Sequence, residues 1–328
     1  MKSPKGEATS VHIYGPVPSR RLGFSLGIDI IPYKTCTLDC IYCQLGPTPQ
    51  KTVERKEHVS ADSILTQINK ALASGQRIDY ITFSGSGEPT LNLIIGTLIR
   101  KIKKITDIPV AVLTNSTLLT DERVREELNA ADLIVPSLDA ATQDVFLKAN
   151  RPHPSLNIED IIASLKKFRK GYSGQMWLEI MLVKGVNDSP RHIQTLKEAV
   201  EKIQPDKVQL NTVIRPPAEA YAKALSPKEM ENIRKQLGEK CEIIADFAQM
   251  DQFPQQKNLE QKILSTIHRR PVTLSDLSAS LGKHRDEVMK YLNMLNARGK
   301  VKCVVHKGKT YYEPDGLPNK HDEHVDKD

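Results

Sequence analysis

The stretch Lys34-Thr-Cys36-Thr-Leu-Asp-Cys40-Ile-Tyr42-Cys43-Gln-Leu-Gly46 places three of the five cysteines of this 328-residue chain within eight positions. Their spacing, C-x3-C-x2-C, lets three thiolates on one short loop hold three corners of an iron–sulfur cube. No fourth cysteine follows closely in the sequence, so one iron would lack a protein ligand. An open metal position is where a substrate or cofactor can bind.

A disulfide and a structural zinc site are the alternatives for this loop. A disulfide is disfavoured because cysteine is scarce and odd in number, and nothing in the sequence indicates secretion. A zinc ion would need a distant fourth ligand, such as His12 or His58. The spacing alone therefore favours the iron–sulfur cluster without excluding zinc.

The spacing, with Tyr42 just before the third cysteine, resembles the cluster loop of the radical S-adenosylmethionine (radical SAM) superfamily. The resemblance implies a [4Fe–4S] cluster on Cys36, Cys40 and Cys43, whose open iron binds S-adenosyl-L-methionine. It also implies an electron donor of the flavodoxin or ferredoxin type. The expected chemistry is reductive cleavage of the cofactor and abstraction of hydrogen from a substrate.

Length and composition predict two domains in a cytoplasmic protein with no membrane partner. The first residues are polar, and no run approaches the roughly 18–20 apolar residues of a membrane span. The net charge is +7, and residues 257–315 carry twelve Lys and Arg against six Asp and Glu. We predict disordered ends at 1–11 and 316–328, an enzyme domain at 12–250, a linker at 251–256 and a basic domain at 257–315. The sequence does not indicate an oligomeric state.

Six short apolar runs alternate with helical patterns between Leu26 and Val213. This alternation predicts an α/β domain with a parallel sheet. Six units are too few for a closed eight-stranded barrel, so we expect a partial (βα)6 TIM-like barrel, the fold that the radical SAM resemblance implies. Ligands in such sheets bind at the carboxyl ends of the strands. The segment Tyr14–Gly23 is predicted to be a loop, since proline and glycine recur in it.

Polar motifs follow the predicted strands directly, at the carboxyl ends where ligands are expected to bind. Ser84-Gly-Ser86-Gly87-Glu88 resembles the family's Gly-Gly-Glu loop, Thr114-Asn115-Ser116 its Thr-Asn-Gly, and Ser137-Leu-Asp139 its Ser-x-Asp. Ser86 stands where the family has the first glycine. The resemblance implies that one set of residues positions the cofactor: Tyr42, Ser86, Gly87, Glu88, Asn115, Ser137, Asp139, Glu179 and Asn211.

Three arginines are candidates for contact with an anionic substrate or with the cofactor carboxylate. Arg20 and Arg21 precede the cysteine loop, and Arg215 follows the sixth predicted strand. Ion pairing with the protein's own carboxylates is the alternative for each. The segments around these arginines resemble an iron–sulfur oxidoreductase branch of the superfamily, related to wyosine tRNA-modifying and molybdenum-cofactor cyclising enzymes.

The basic region 257–315 has the pattern of three helices followed by a hairpin, which resembles a winged helix-turn-helix domain. Its cations could lie along a phosphate backbone, so RNA or DNA is a candidate partner. Peptide recognition, or packing on the enzyme domain alone, is the alternative. Three hypotheses therefore remain: a radical SAM enzyme acting on an unidentified substrate such as RNA, a radical SAM peptide-modifying enzyme, and an iron–sulfur redox sensor that binds DNA.

Overall fold

In the computed structural model, the first of two compact units, residues 1–250, is organised around a sheet whose strands follow chain order. The structure describes residues 12–32, 34–49, 51–215, 217–245, 253–269, 271–281, 283, 285–306 and 309–315. Within these ranges the sheet has eight strands: β1 (Ile13–Ser19), β2 (Gly23–Ile28), β3 (Tyr80–Phe83), β4 (Val110–Thr114), β5 (Leu133–Pro136), β6 (Gln175–Leu182), β7 (Lys207–Thr212) and β8 (Cys241–Ile243).

The strands from β2 to β8 pair in parallel, and β1 pairs with β2 in the antiparallel direction. Helices provide the crossovers that parallel strands require. They are α1 (Ala61–Leu72), α2 (Ile95–Ile102), α3 (Glu122–Leu128), α4 (Gln143–Ala149), α5 (Ile158–Gly171), α6 (Pro190–Ile203) and α7 (Pro227–Leu237). The α/β class and the parallel sheet predicted from the alternation of strands and helices are confirmed.

Local sequence signals set where these helices begin. Ser60, Asn157 and Ser189 each accept a hydrogen bond from a backbone N–H of the first turn, which satisfies one of the amides left without a helical partner. Ser226 and Glu229 form a reciprocal capping box at the start of α7. The apolar faces of the helices then pack on the sheet in one continuous core.

The amino-terminal segment is a strand, and the prediction of a loop at Tyr14–Gly23 was wrong for most of its length. The prolines at 16 and 18 lie in β1, at the edge of the sheet. An edge strand tolerates proline because N–H groups on its open side need no partner in the ladder. The sequence rule that reads clustered proline and glycine as a loop does not apply there.

One further element differs from the sequence prediction. The helix α4 was not predicted, since its seven residues are too few to display a helical period. The sheet also has more strands than six strand–helix units would supply, because the short strand β8 pairs with β7.

The second unit, residues 251–328, has its own small core. Its elements are α8 (Phe253–Arg269), α9 (Leu274–Leu281), α10 (Arg285–Ala297), β9 (Val301–His306) and β10 (Lys309–Pro314), the last two paired as an antiparallel hairpin. Ile263, Val288, Leu292 and Leu295 are buried in its core. The helix α8 begins inside the predicted linker 251–256, with proline at its second residue, where a missing N–H costs nothing.

The predicted disordered ends, 1–11 and 316–328, lie outside the described residues, as do 251 and 252 of the linker. Among the described helices, none combines the length and apolar character needed to cross a membrane.

A glycine sets the contact between α2 and α3. A methyl group at Gly96 would lie 2.7 Å from both Cβ and Cγ of Glu127 and 3.0 Å from its Cα. We therefore expect Gly96→Ala to lower the unfolding free energy by about 1–3 kcal/mol, because the two helices must separate. Urea denaturation measures this change. Gly171→Ala is the matched control, since its new methyl group would meet no heavy atom within 4 Å. Equal stability of both variants would contradict this account of the contact.

Candidate active site at the carboxyl ends of the strands

The cysteine loop follows β2 and is fastened to the loop that follows β3. The backbone N–H of Lys34 donates to Ser86 O at 2.6 Å, and that of Glu88 donates to Thr35 O at 3.0 Å. A methyl group on Gly87 would lie 2.0 Å from Thr35 O, so only glycine permits this approach. The motif therefore has glycine at position 87 because its backbone lies directly against the backbone of the cysteine loop.

The three cysteines of this loop are free and half-buried, and each receives an N–H donor from a different residue. Asn115 Nδ2 lies 3.5 Å from Cys36 Sγ, and Asn150 Nδ2 lies 3.4 Å from Cys40 Sγ. Lys34 Nζ lies 3.1 Å from Cys43 Sγ. Donors of this kind stabilise thiolates, which are the form of cysteine that binds metal.

Burial opposes ionisation of two of these thiols in the free protein. It raises the pKa of Cys36 to about 11, with a contribution from the nearby Glu88 carboxylate. It also raises the pKa of Cys40, with Asp139 and the other two cysteines adding to the effect. Metal binding would therefore release protons from this loop.

Glu88 is buried and organises the end of β4. Its Oε1 accepts hydrogen bonds from Thr114 Oγ1 at 2.7 Å and from the hydroxyl and N–H of Thr90 at 2.6 and 3.1 Å. Its Oε2 accepts from Asn115 N at 2.7 Å. Burial raises the pKa of Glu88, while these donors hold it down. The carboxylate therefore links the loop after β3 to the loop that holds Asn115.

Asn115 completes this link to the cysteine loop. Its Nδ2 donates to Thr37 Oγ1 at 2.8 Å, and its Oδ1 accepts from Thr117 Oγ1 at 2.7 Å. The next residue, Ser116, has the left-handed φ of 71° that favours glycine, the residue in the family's pattern. Its hydroxyl donates to the carbonyl of Ser137 at 2.7 Å, which ties the end of β4 to the end of β5.

Asp139 lies next to the cysteine loop as well. Its Oδ2 accepts hydrogen bonds from the Tyr42 hydroxyl and from Asn150 Nδ2, and its Oδ1 accepts from Met181 N at 2.8 Å. Burial raises the pKa of Asp139 to about 6 despite these donors. The Oδ1 atom of Asn150 is buried and has no hydrogen-bond partner. A buried acceptor left without a partner is costly, so a ligand that donates a hydrogen bond would be favoured beside it.

Glu179 and Asn211 belong to a different group of side chains, which lie on β6 and β7 themselves. Glu179 Oε2 pairs with Arg21 Nη1 at 2.9 Å, and its Oε1 accepts from Asn211 Nδ2 at 3.0 Å. Arg21 also donates to Gln209 at 3.1 Å, and Arg20 donates to Asn211 Oδ1 at 3.3 Å. Burial alone would raise the pKa of Glu179, but the arginines and Asn211 hold it below the ordinary value.

This group shows that the sheet is curled. Arg21 follows β1 and precedes β2, yet its guanidinium reaches β6, four strands from β2. Four strand spacings in a flat sheet would be about 19 Å, which exceeds the reach of an arginine side chain. The side chains of Arg21 and Glu179 are only 10% and 14% exposed. In the structure Arg21 is therefore paired with one of the protein's own carboxylates, which was the alternative to contact with a substrate or cofactor.

Arg215 lies at the cysteine loop, where its Nη1 donates to Gln44 Oε1 at 2.7 Å. Ser86 is engaged with the end of β2, since its N–H and hydroxyl donate to Asp29 Oδ2 at 3.0 and 2.6 Å. Ser137 pairs with Glu179 in an isolated β-bridge. The predicted residues thus form one group around the cysteines and a second group within the curl of the sheet.

Comparison with known proteins identifies the family. The sequence profile of the Radical SAM superfamily matches residues 30–196, which is about half of the chain and includes the cysteine loop. A UPF0026 protein of Methanocaldococcus jannaschii is 33% identical over 309 residues, covering 91% of this chain and 94% of that protein. This chain belongs to the Radical SAM superfamily.

Other relatives match only in part. A protein named GTPase Obg from Brachyspira hyodysenteriae is 38% identical over 311 residues, covering 94% of this chain but 46% of its own length. A "Probable dual-specificity RNA methyltransferase RlmN" of Microcystis aeruginosa is 27% identical, over 52% of this chain and 50% of that protein. A crystal structure of a radical SAM methyltransferase from Sphaerobacter thermophilus matches with a TM-score of 0.53 and 16% identity, over 67% of this chain and 66% of that one. This last likeness shows the fold.

The residues of this radical SAM chain fit the cluster that the superfamily implies. Three free thiols lie on one loop, each with its own N–H donor, and the remaining cysteines are distant in the sequence. The unpartnered Asn150 Oδ1 gives a ligand an acceptor beside Cys40. Among the described residues, no three His, Cys, Asp or Glu side chains are grouped closely enough to hold a single metal ion.

Three residues of the site, Lys34, Asn150 and Asp29, were not predicted from the sequence. Lys34 stands beside the motif, but a sequence does not show that its ammonium turns back onto the third cysteine. Asn150 ends α4, a helix that was not predicted, so no pattern called attention to it. The role of Asp29 becomes visible only where its carboxylate meets Ser86.

The buried pair of Arg21 and Glu179 generates a pH-dependent prediction. We expect Arg21→Met to lower the unfolding free energy at pH 7 by about 3–5 kcal/mol, since it leaves a buried carboxylate unpaired. The pKa of Glu179 lies below its ordinary value in the native protein and would rise above that value without Arg21, because burial then dominates. Its protonation on acidification would relieve the unpaired charge.

The difference in stability between wild type and Arg21→Met should therefore be larger at pH 7 than at pH 5, as measured by urea denaturation at both pH values. Lys167→Met is the control, since its pair with Glu122 is two-thirds exposed on both sides and should contribute less than about 1 kcal/mol. A difference for Arg21→Met that does not change with pH would contradict the assignment.

Proposed function

We propose that this chain is a radical SAM enzyme that uses one [4Fe–4S] cluster on Cys36, Cys40 and Cys43 to cleave S-adenosyl-L-methionine reductively and abstract hydrogen from an RNA substrate. The observation that carries the proposal is the set of three free thiols with individual N–H donors, enclosed by Glu88, Asn115 and Asp139. When bound, the cluster and the cofactor supply the electron transfer and the radical chemistry.

The chain's own residues would hold and orient the cofactor. The loop at Gly87 offers backbone groups close to the cysteines, and Glu88 fixes the position of Asn115. Tyr42 and Asp139 hold each other beside Cys40, and Asn150 presents its free acceptor there. Because Asp139 and Glu88 are buried, their charge would act strongly on any group that enters. A one-electron donor of the flavodoxin or ferredoxin type would supply the electron.

Two observations favour RNA as the substrate class. Residues 257–315 carry an excess of positive charge, which would attract a phosphate backbone. The relative from Microcystis aeruginosa carries the name "Probable dual-specificity RNA methyltransferase RlmN", and this name favours RNA as the substrate class. We propose that the second unit is a winged helix-turn-helix domain that binds the RNA substrate. Arg298 and Lys302 of this unit are paired with Glu260 and Glu313, so they would contribute less than an unpaired cation.

The sensor and peptide hypotheses are not favoured. A DNA-binding sensor would need the cysteines but not the ordered carboxylates and amides after successive strands. No observation within the described residues points to a peptide-binding groove.

The first test is formation of 5′-deoxyadenosine by the anaerobically reconstituted full-length protein, with reductant and S-adenosyl-L-methionine. We expect Cys40→Ser to reduce this product at least a hundredfold, because the cluster loses one of its ligands. Cys303→Ser is the matched control, since Cys303 is exposed in the second unit and should leave the rate unchanged. If the wild type holds an intact cluster but forms no 5′-deoxyadenosine, the enzymatic proposal is refuted and the redox-sensor hypothesis is favoured.

The second test concerns the substrate class. Total cellular RNA should stimulate product formation. The double variant Lys283→Glu/Lys300→Glu should bind RNA more weakly. Its RNA affinity should also depend less steeply on salt concentration, because each lost phosphate contact reduces the number of counterions released on binding. Both lysines are exposed. Lys166→Glu/Lys170→Glu on α5 makes the same charge change in the first unit as the control. Equal RNA binding by both double variants would contradict a role of the second unit in RNA recognition.

A further inference from the structure

Lys34 is a buried lysine whose ammonium faces the cysteine loop. The residue is 5% exposed, and its Nζ lies 3.1 Å from Cys43 Sγ and 3.0 Å from Thr48 Oγ1. Among the ion pairs of the described residues, none joins Lys34 to a carboxylate. A buried cation is costly unless an anion balances it, and the sulfur of Cys43 is the atom in contact that can carry negative charge.

The backbone of Lys34 also indicates that its side chain is needed. Its φ is 58°, in the left-handed region where glycine is favoured and a residue with a Cβ atom is strained. Glycine would satisfy the turn and the backbone bond to Ser86 with less strain. A lysine at this position places a charged group in the site, although its backbone is more strained than that of a glycine would be.

The charges around the three thiols are unequal. The carboxylate of Glu88 acts on Cys36, where the more distant charge of Lys34 partly opposes it, and the carboxylate of Asp139 acts on Cys40. The N–H donors of these two cysteines are the neutral amides of Asn115 and Asn150. Cys43 differs, because its donor is the ammonium of Lys34, which is positively charged.

We infer that Lys34 sets the reduction potential of the cluster by placing a fixed positive charge against the thiolate of Cys43. The inference rests on the proposed function, since it requires a cluster on these three cysteines. Reduction adds one electron from the donor to the cluster and forms or breaks no bond to Lys34. The added negative charge is stabilised by the ammonium and opposed by the two carboxylates, so Lys34 raises the potential. Hydrogen bonds to the sulfurs and local charge are known determinants of cluster potentials.

The test is a potentiometric titration of the reconstituted full-length protein without S-adenosyl-L-methionine, followed by the EPR signal of the reduced cluster. We expect Lys34→Met to lower the equilibrium constant for reduction at least tenfold, which for one electron is a shift of about 59 mV to a more negative midpoint. Lys34→Gln keeps an N–H donor and removes the charge, so it should shift in the same direction. Lys34→Arg keeps the charge and should stay close to the wild type.

Lys51→Met is the matched control. Lys51 also lies beside the cysteine loop, but its ammonium donates to the carbonyls of Arg151 and Pro152 at 3.0 and 3.2 Å rather than to a sulfur. Removal of its charge should change the midpoint much less than removal of the charge of Lys34. Equal shifts in both variants would overturn the specific assignment to Lys34.

Iron content and the visible spectrum of each sample separate failure of this inference from failure of the proposed function. A wild-type protein that takes up no cluster would refute the proposed function. If the wild type, Lys34→Met and Lys34→Gln all hold a cluster and have the same midpoint potential, the inference about Lys34 is overturned and the proposed function is not. Loss of the cluster from both neutral variants, with retention in Lys34→Arg, would also overturn it, because Lys34 would then be required for assembly rather than for the potential.

Discussion

The contact on which the site depends is the close approach of the cysteine loop to the loop that follows β3. Two backbone hydrogen bonds, from Lys34 N to Ser86 O and from Glu88 N to Thr35 O, join these loops, and Gly87 leaves space for the carbonyl of Thr35. The cysteines and Glu88 are thereby fixed relative to one another. A side chain at Gly87 would separate them, so a single backbone constraint connects the cysteine loop to the rest of the site.

Two kinds of electrostatic balance operate within the curled sheet. In its interior, Glu179 is paired with Arg21, which keeps the carboxylate charged although it is buried. At the cysteine loop, Asp139 has hydrogen-bond donors but, among the described residues, no cation within ion-pair distance, and burial raises its pKa to about 6. The first arrangement balances a buried charge, so the loss of either partner would be costly. The second leaves a polar group whose charge state can respond to a ligand, as is common at functional sites.

Much of this site could be predicted because it is encoded locally. The three cysteines lie within one loop, and the motifs at Glu88, Asn115 and Asp139 each follow a strand that the apolar pattern also predicts. The parallel sheet then brings these strand ends together, which explains why residues far apart in sequence share one site. The grouping of Glu179 with Arg21 could not be predicted, since it depends on how far the sheet curls. The strand β1 was missed because its prolines are tolerated only at an edge.

The sequence by itself determined the superfamily, the α/β class and the grouping of three cysteines on one loop, because spacing within a loop and the alternation of apolar runs are local properties. Only the tertiary structure decided which donor faces each sulfur. Lys34, Asn115 and Asn150 come from three different segments, and their side chains meet at the cysteines in the folded structure. Side-chain direction across such distances depends on the packing of the whole sheet, which no local pattern of residues records.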